Sequence, residues 1–413
     1  MELYLRNTVF PVNPFPSTTV APNRHSMTLA RLLIFLSVVT SILSLVHLYV
    51  WFRVIRNAAL PPPWSRAATV ALVTLCAAIP LMFLIRDSWP RTVVTPLSWI
   101  VYSWMGILFY LFVFSLMTDL ARLTSHLTGL MPQDPDRRHF LGRLFAGGIA
   151  TAALATGVGG ILHARGFRIK TVEVTLDKLP RAASGYVIAQ LTDIHIGPII
   201  NRSYIEDIVR ETNALNPDLI VITGDLVDGS VDELRAHAAP LAELSAPDGV
   251  WFVTGNHEYY SGVDPWLTHL ETLGIRTLRN ERVDVRGFFD LAGVDDAKSE
   301  GMAPGHGPDL PRALADRDPA KPVVLLAHQP VAFPEAARAG VDLQLSGHVH
   351  GGQIVLFNWL VKLEQPYLDG LHREGASQIY VSPGTGYWGP PMRIGTTSEI
   401  TRVVLTGLKE TGS

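Results

Sequence analysis

Four stretches of this chain, 32–52, 67–85, 92–118 and 144–164, contain no Asp, Glu, Lys or Arg. A helix rises about 1.5 Å per residue, so roughly 20 residues cross the hydrocarbon core of a bilayer, and each stretch is long enough to do so. One apolar run could be a buried helix of a globular domain. Four in succession with arginines at their ends predict a bundle of four transmembrane helices. Pro80 and Pro96 predict a kink and a helix start, and Trp51, Trp89, Trp99 and Tyr102 suit the membrane–water interface, as does His47 near the end of its run. With so few ionisable groups inside, the bundle reads as an anchor and not as a transporter core.

The charge balance divides the chain at the same place. Residues 1–165 hold 13 Lys and Arg against 5 Asp and Glu, and 166–413 hold 21 against 32. The expected organisation is therefore a membrane domain over 1–165 and a soluble domain over 166–413. An acidic second half is a poor partner for nucleic-acid phosphates, which are held by clustered Lys and Arg, so no nucleic-acid partner is expected. The single cysteine, Cys76, excludes an intramolecular disulfide or a thiolate metal cage.

Orientation is nearly balanced. Loops 53–66 and 119–143 carry seven Arg, and the other side carries eight basic residues, among them Arg6, Arg24 and Arg31. Arg137-Arg138-His139-Phe140-Leu141, followed by a Gly/Ala-rich apolar run, resembles a twin-arginine export signal and breaks the tie. It favours a multi-pass protein of a bacterial plasma membrane with its second domain on the outer face.

Beyond residue 171 short apolar runs alternate with helical stretches. Runs 172–176, 186–191, 219–223, 250–253, 322–327 and 342–345 predict buried strands, and 203–215, 231–244, 265–273 and 331–339 predict helices, which makes this an α/β domain. Its polar residues concentrate at the C-terminal ends of the strands, where α/β sheets bind ligands. In order these ends read Asp193-Ile194-His195, Gly224-Asp225-Leu226-Val227-Asp228, Gly255-Asn256-His257-Glu258, His328 and Gly347-His348-Val349-His350. A lone histidine at a strand end is more often a hydrogen-bonded structural residue. Five consecutive strands that all end in metal-ligand types are a different matter. Carboxylate, imidazole and amide ligands without thiolate suit Mn, Fe, Zn or Ni. In an extended strand, residues i and i+2 share a side, which pairs Asp193 with His195 and His348 with His350.

These blocks, in this order, resemble the calcineurin-like dinuclear metallophosphoesterase superfamily, over nearly all of 171–405. Gly347-His348-Val349-His350-Gly351-Gly352-Gln353 and Ser382-Pro383-Gly384-Thr385-Gly386 further resemble its membrane-associated bacterial branch. The resemblance implies a four-layer α-β-β-α sandwich behind the four-helix bundle, and two divalent metal ions per chain. It implies that Asp193, His195, Asp225 and His350 hold one ion and Asp225, Asn256, His328 and His348 the other, with Asp225 bridging. It also implies that Asn256 and His257 form the catalytic pair, with His257 touching the scissile phosphate and acting as general acid. Asp228 and Glu258 read as partners that orient ligands, Gly384, Thr385 and Gly386 as a tight turn whose backbone could meet a phosphate, and Arg393 as a solvated charge or a phosphate contact. His269, His306 and His372 read as surface or loop histidines.

The implied activity is metal-dependent hydrolysis of a phosphodiester, phosphomonoester or pyrophosphate by a metal-bound hydroxide. A phosphorylated small molecule or a lipid-linked or cell-envelope phosphate would be the substrate, met at the lipid bilayer. Some members of the superfamily cleave UDP-diacylglucosamine on the cytoplasmic side, which conflicts with an exported domain. The competing class is a catalytically silent metal-binding membrane receptor or scaffold. Metalloprotease and P-loop chemistry are excluded by the lack of H-E-x-x-H and G-x-x-x-x-G-K.

Overall fold

In the computed structural model, which describes residues 29–408 apart from 87 and 131, the four apolar runs lie in helices α1 (Leu29–Val50), α2 (Pro62–Ile85), α3 (Arg91–Leu127) and α4 (Pro135–Ala164). Arg6 and Arg24 of the charge comparison lie outside the described residues. Each helix is long and apolar enough to cross a membrane. Prolines open α2 and α4, where a missing N–H leaves no bond unmade. Pro96 lies inside α3 and does not start it, because Arg91 already does. Arg137 and Arg138 belong to the first turns of α4.

Polar pairs fix the bundle. Trp104 Nε1 donates to His47 Nε2 at 3.1 Å, and Tyr49 Oη donates to Asp119 Oδ2 at 2.6 Å, which also pairs with Arg53 at 2.7 Å. His47 is buried and ties α1 to α3. Small residues on α4 let its neighbours approach: a Cβ on Gly157 would lie 2.6 Å from Ile107 of α3, and one on Gly160 would lie 2.7 Å from Ile394.

The remainder of the chain runs β1 (Phe167–Thr175), β2 (Tyr186–Leu191), α5 (Arg202–Ala214), β3 (Leu219–Thr223), α6 (Val231–Ala238) and β4 (Val250–Val253). It continues through α7 (Asn256–Ser261), α8 (Val263–Thr272), β5 (Ile275–Thr277), β6 (Glu281–Val285), β7 (Phe289–Gly293) and α9 (Leu310–Ala313). Then follow β8 (Val323–Leu326), α10 (Phe333–Arg338), β9 (Leu343–Ser346), α11 (Asn358–Val361), β10 (Gly370–Glu374), β11 (Ser377–Val381) and β12 (Ser398–Thr406). Two six-stranded sheets form, in the orders β1-β12-β2-β3-β4-β5 and β10-β11-β9-β8-β7-β6.

The period-two alternation of strands builds the layers. Leu219 and Val221 of β3 face the space between the sheets, where Val324 and Leu326 of β8 and Leu343 and Leu345 of β9 meet them. Ile220 and Ile222 point the other way, against Ile205 and Ile208 of α5 and Leu234 of α6. Val323 and Leu325 cover the outer face of the second sheet together with Ala336 of α10. Strands buried on both faces read as continuous apolar runs for this reason. The result is the expected four-layer α-β-β-α sandwich. The ligand-bearing strands β2, β3, β4, β8 and β9 are not consecutive, because β5, β6 and β7 intervene. They lie side by side within their own sheets, so their C-terminal ends converge across the sandwich.

Candidate metal centre

The motif residues sit just past the strands, in turns. Asp193, His195, Asp225, His348 and His350 all have φ between 51° and 73°, the left-handed region that non-glycine residues rarely occupy. Asp193 and His195 are therefore brought together by two left-handed residues after β2, and not by the alternation of an extended strand. Such backbone costs of order 1–3 kcal/mol at each position and persists where the surroundings impose it. Here backbone bonds do so: His195 N donates to Asp225 O at 3.1 Å, Asp193 N to Gly224 O at 3.1 Å, and Gly347 N to His328 O at 2.9 Å.

Ligand atoms collect in three overlapping groups, each within 4.8 Å: Asp193, His195 and His350; His195, Asp225 and His257; Asp225, His328 and His348. Asp225 belongs to two of them. His195 Nε2 lies 3.0 Å from His350 Nε2, His348 Nδ1 lies 3.2 Å from His328 Nε2, and His328 Nε2 lies 3.1 Å from Asp225 Oδ2. Asn256 opens α7 beside Asp225, and its Oδ1 is buried with no hydrogen-bond donor. A buried amide oxygen without a donor is costly in water-free surroundings and suits a cation. The donor set thus fits divalent metal.

The partners of these groups fix which atom faces inward. His328 Nδ1 lies 2.7 Å from Thr223 O and takes the proton, leaving Nε2 free to ligate. Asp228 Oδ1 accepts from Nδ1 of both His195, at 3.3 Å, and His257, at 2.5 Å. Glu258 is fully buried; its carboxylate takes the backbone N–H groups of Asp225, Leu226 and Gly255 at 2.7–3.0 Å and fixes the loop that presents Asp225.

The electrostatics favour positive charge at Asp225. Burial opposes its ionisation, but His328, His257 and His195 hold its carboxyl well below the usual range. Burial works against a charged His328, and Asp225 and Asp193 nonetheless raise it well above an ordinary histidine. Burial and the neighbouring His328 push His348 down to about 3, so it stays a neutral imidazole, the form that ligates.

Several expectations are corrected. Arg393 is neither solvated nor free for a phosphate. It is 1% exposed, and its guanidinium donates to His350 O at 2.8 Å and Gly386 O at 2.5 Å and approaches His350 Nδ1 at 3.3 Å, so it props His350 from behind. The amides of Gly384, Thr385 and Gly386 are spent on Ser382 Oγ, Thr192 O and Asp193 O, which leaves none for a phosphate. His306 is buried, bonded to Tyr259 Oη at 3.1 Å and Asp264 at 3.1 Å.

Sequence reasoning passed over Thr192, whose Oγ1 donates to Asp193 Oδ2 at 2.7 Å, and the rim formed by Tyr260 and Trp388. Both rim aromatics are exposed and stand edge-on to His257, with ring centroids 5.3 and 5.5 Å away. Their signal was adjacency to the motifs, Tyr260 to His257 and Trp388 to Gly386.

Glycine at 347 has a steric reason. A Cβ there would lie 2.1 Å from Asp193 Oδ2 and Thr192 Oγ1. Gly347→Ala should displace the Asp193 carboxylate and weaken Mn affinity about 10–100-fold, measured by calorimetric titration; unchanged affinity would contradict this placement.

Two facing sheets whose strand ends gather carboxylates and imidazoles without thiolate define a metallophosphoesterase. The model of the calcineurin-like phosphoesterase family matches residues 186–352. The chain is 36% identical over 394 residues to the transmembrane protein with metallophosphoesterase domain of Danio rerio, covering 90% of this chain and 89% of that one. It is 42% identical over 238 residues to an uncharacterized metallophosphoesterase of Helicobacter pylori, covering 56% and 62%. Among solved structures it is similar to a 5'-nucleotidase precursor from Thermus thermophilus, with a TM-score of 0.34 and 16% identity, over 53% of this chain and 54% of that one. The chain belongs to the calcineurin-like phosphoesterase family and is a metal-dependent phosphoester hydrolase with membrane-spanning relatives. Its relatives include animal as well as bacterial proteins.

Proposed function

We propose that the chain is a membrane-anchored hydrolase of phosphodiesters, phosphomonoesters or pyrophosphates, acting on a lipid-linked or cell-envelope substrate with two divalent ions. Asp193, His195, Asp225 and His350 would hold one ion and Asp225, Asn256, His328 and His348 the other. The observation that carries this reading is Asp225, whose Oδ2 lies 3.1 Å from His328 Nε2 and 3.9 Å from His195 Nε2, one histidine of each proposed set. Two ions held there would neutralise charge on the phosphoryl oxygens and lower the pKa of a water between them.

The chain's own residues supply the rest. Asp228 accepts the Nδ1 proton of His257, so Nε2 is the atom left to face a leaving oxygen. Burial alone would lower the pKa of His257, but Asp225 and Asp228 raise it to about 9 and keep a proton available. Tyr260 and Trp388 narrow the approach to that ring. The twin-arginine resemblance supports an outward-facing domain in a bacterial plasma membrane; protease accessibility in spheroplasts tests it.

The activity is tested with purified full-length protein, bis-p-nitrophenyl phosphate and Mn. Metal-dependent release of p-nitrophenol is expected and is abolished by EDTA. A chain that retains metal and releases none would be a scaffold.

A further inference from the structure

Between the metal centre and the spanning helices lies a segment that the proposed chemistry does not use. Five residues past His350 the chain exposes Val355, Leu356, Phe357, Trp359, Leu360 and Leu363, with Trp359 71% and Leu363 84% exposed. Soluble surfaces do expose single apolar side chains; six within nine residues is a contiguous patch, which marks an interaction site. Lys362, also exposed, lies between Leu360 and Leu363 and suits an anionic surface.

Contacts with the spanning helices say what covers the patch. Phe357 packs edge-on against Phe109 of α3, with centroids 6.4 Å apart, and Tyr110 Oη donates to Val355 O at 3.4 Å. The level of these contacts follows from helix geometry. α4 enters β1 at its C-terminal end, and Arg122 of α3 stacks on Phe145 near the opposite end of α4. Counting roughly 20 residues back along α3 from Arg122 places the near edge of the hydrocarbon at about Tyr102. Phe109 and Tyr110 lie about two turns, or ~10 Å, below that edge. Met392, 2.4 Å from where a Cβ on Gly106 would be, reaches about one turn, ~6 Å, below that edge.

The patch is also coupled to the rim of the centre. Gln353 Nε2 donates to Trp388 O at 2.8 Å and Pro390 O at 3.0 Å, and its Oε1 accepts from Trp388 N at 3.0 Å. One side chain therefore joins the start of the apolar segment to the aromatic that stands beside His257.

We infer that residues 355–363 form a lip seated in the headgroup and acyl regions of the leaflet, and that the centre takes its phosphoester from the headgroup of a lipid in that leaflet. This deepens the proposed hydrolase function and rests on it.

The test uses the full chain in phosphatidylethanolamine–phosphatidylglycerol vesicles and two esters with the same leaving group: soluble bis-p-nitrophenyl phosphate and a diacylglycerol phosphodiester of p-nitrophenol. The Leu360→Glu, Leu363→Glu variant should lose about tenfold or more in kcat/KM on the lipid ester and keep its rate on the soluble one. Equal losses on both, or no loss on either, would overturn the inference. In vesicles of brominated lipids, Trp359 fluorescence, read as the difference from Trp359→Phe, should be quenched; an unquenched Trp359 would overturn the lip. Should the parent protein cleave neither ester, the hydrolase reading fails, while the quenching still decides whether the lip enters the bilayer.

Discussion

Replacing Asp225 with Asn is expected to abolish turnover and metal retention together. Its Oδ2 lies 3.1 Å from His328 Nε2, 3.9 Å from His195 Nε2 and 4.0 Å from His257 Nε2, so one carboxylate faces both ligand groups. Its Oδ1 accepts the His257 amide at 2.9 Å, and Gly255 sits so close that an added Cβ would lie 2.2 Å from Oδ1. An amide of the same shape fits this space but would carry no charge to offset the two proposed cations. We expect kcat to fall at least a thousandfold, about 4 kcal/mol of barrier, with metal content after desalting falling in parallel. A variant that stays fully metallated and active would remove Asp225 from the bridging position.

His257→Asn should separate proton donation from metal binding. The His257 ring is held by Asp228 and bordered by Tyr260 and Trp388, and its amide would survive the substitution. Metal content should be retained. Turnover of an alkyl phosphodiester should fall roughly 10²–10⁴-fold, because a poor leaving group needs the proton. The loss on bis-p-nitrophenyl phosphate should be much smaller, since p-nitrophenolate leaves unaided. Equal losses on both esters would assign His257 a positioning role instead.

What was legible in the sequence had a strong local signature. The four charge-free runs and the doubly buried strands β2, β3, β4, β8 and β9 announce themselves by continuous apolarity, and their ends carry the ligand-type residues. The edge strand β6 was missed because Glu281, Arg282 and Asp284 break its pattern, as charges on exposed edges do. Strand β12 was missed because Glu399, Thr401 and Arg402 interrupt it; in the fold Glu399 and Thr401 are buried, and Glu399 accepts from Tyr380 and Thr401. Arg393 was unreadable for the same reason: a charge satisfied by carbonyls brought from two distant places in the chain, His350 and Gly386, has no local pattern. The convergence of Asp193 with His195 was foreseen, but through strand alternation, whereas left-handed turns produce it.

The central claim is a paired-cation centre bridged by Asp225, and anomalous diffraction from crystals grown with Mn tests it most directly. Two peaks about 3.5–4 Å apart, with Asp225 between them, are predicted. A single peak that leaves Asn256, His328 and His348 without metal, or no peak at these side chains, would contradict the account.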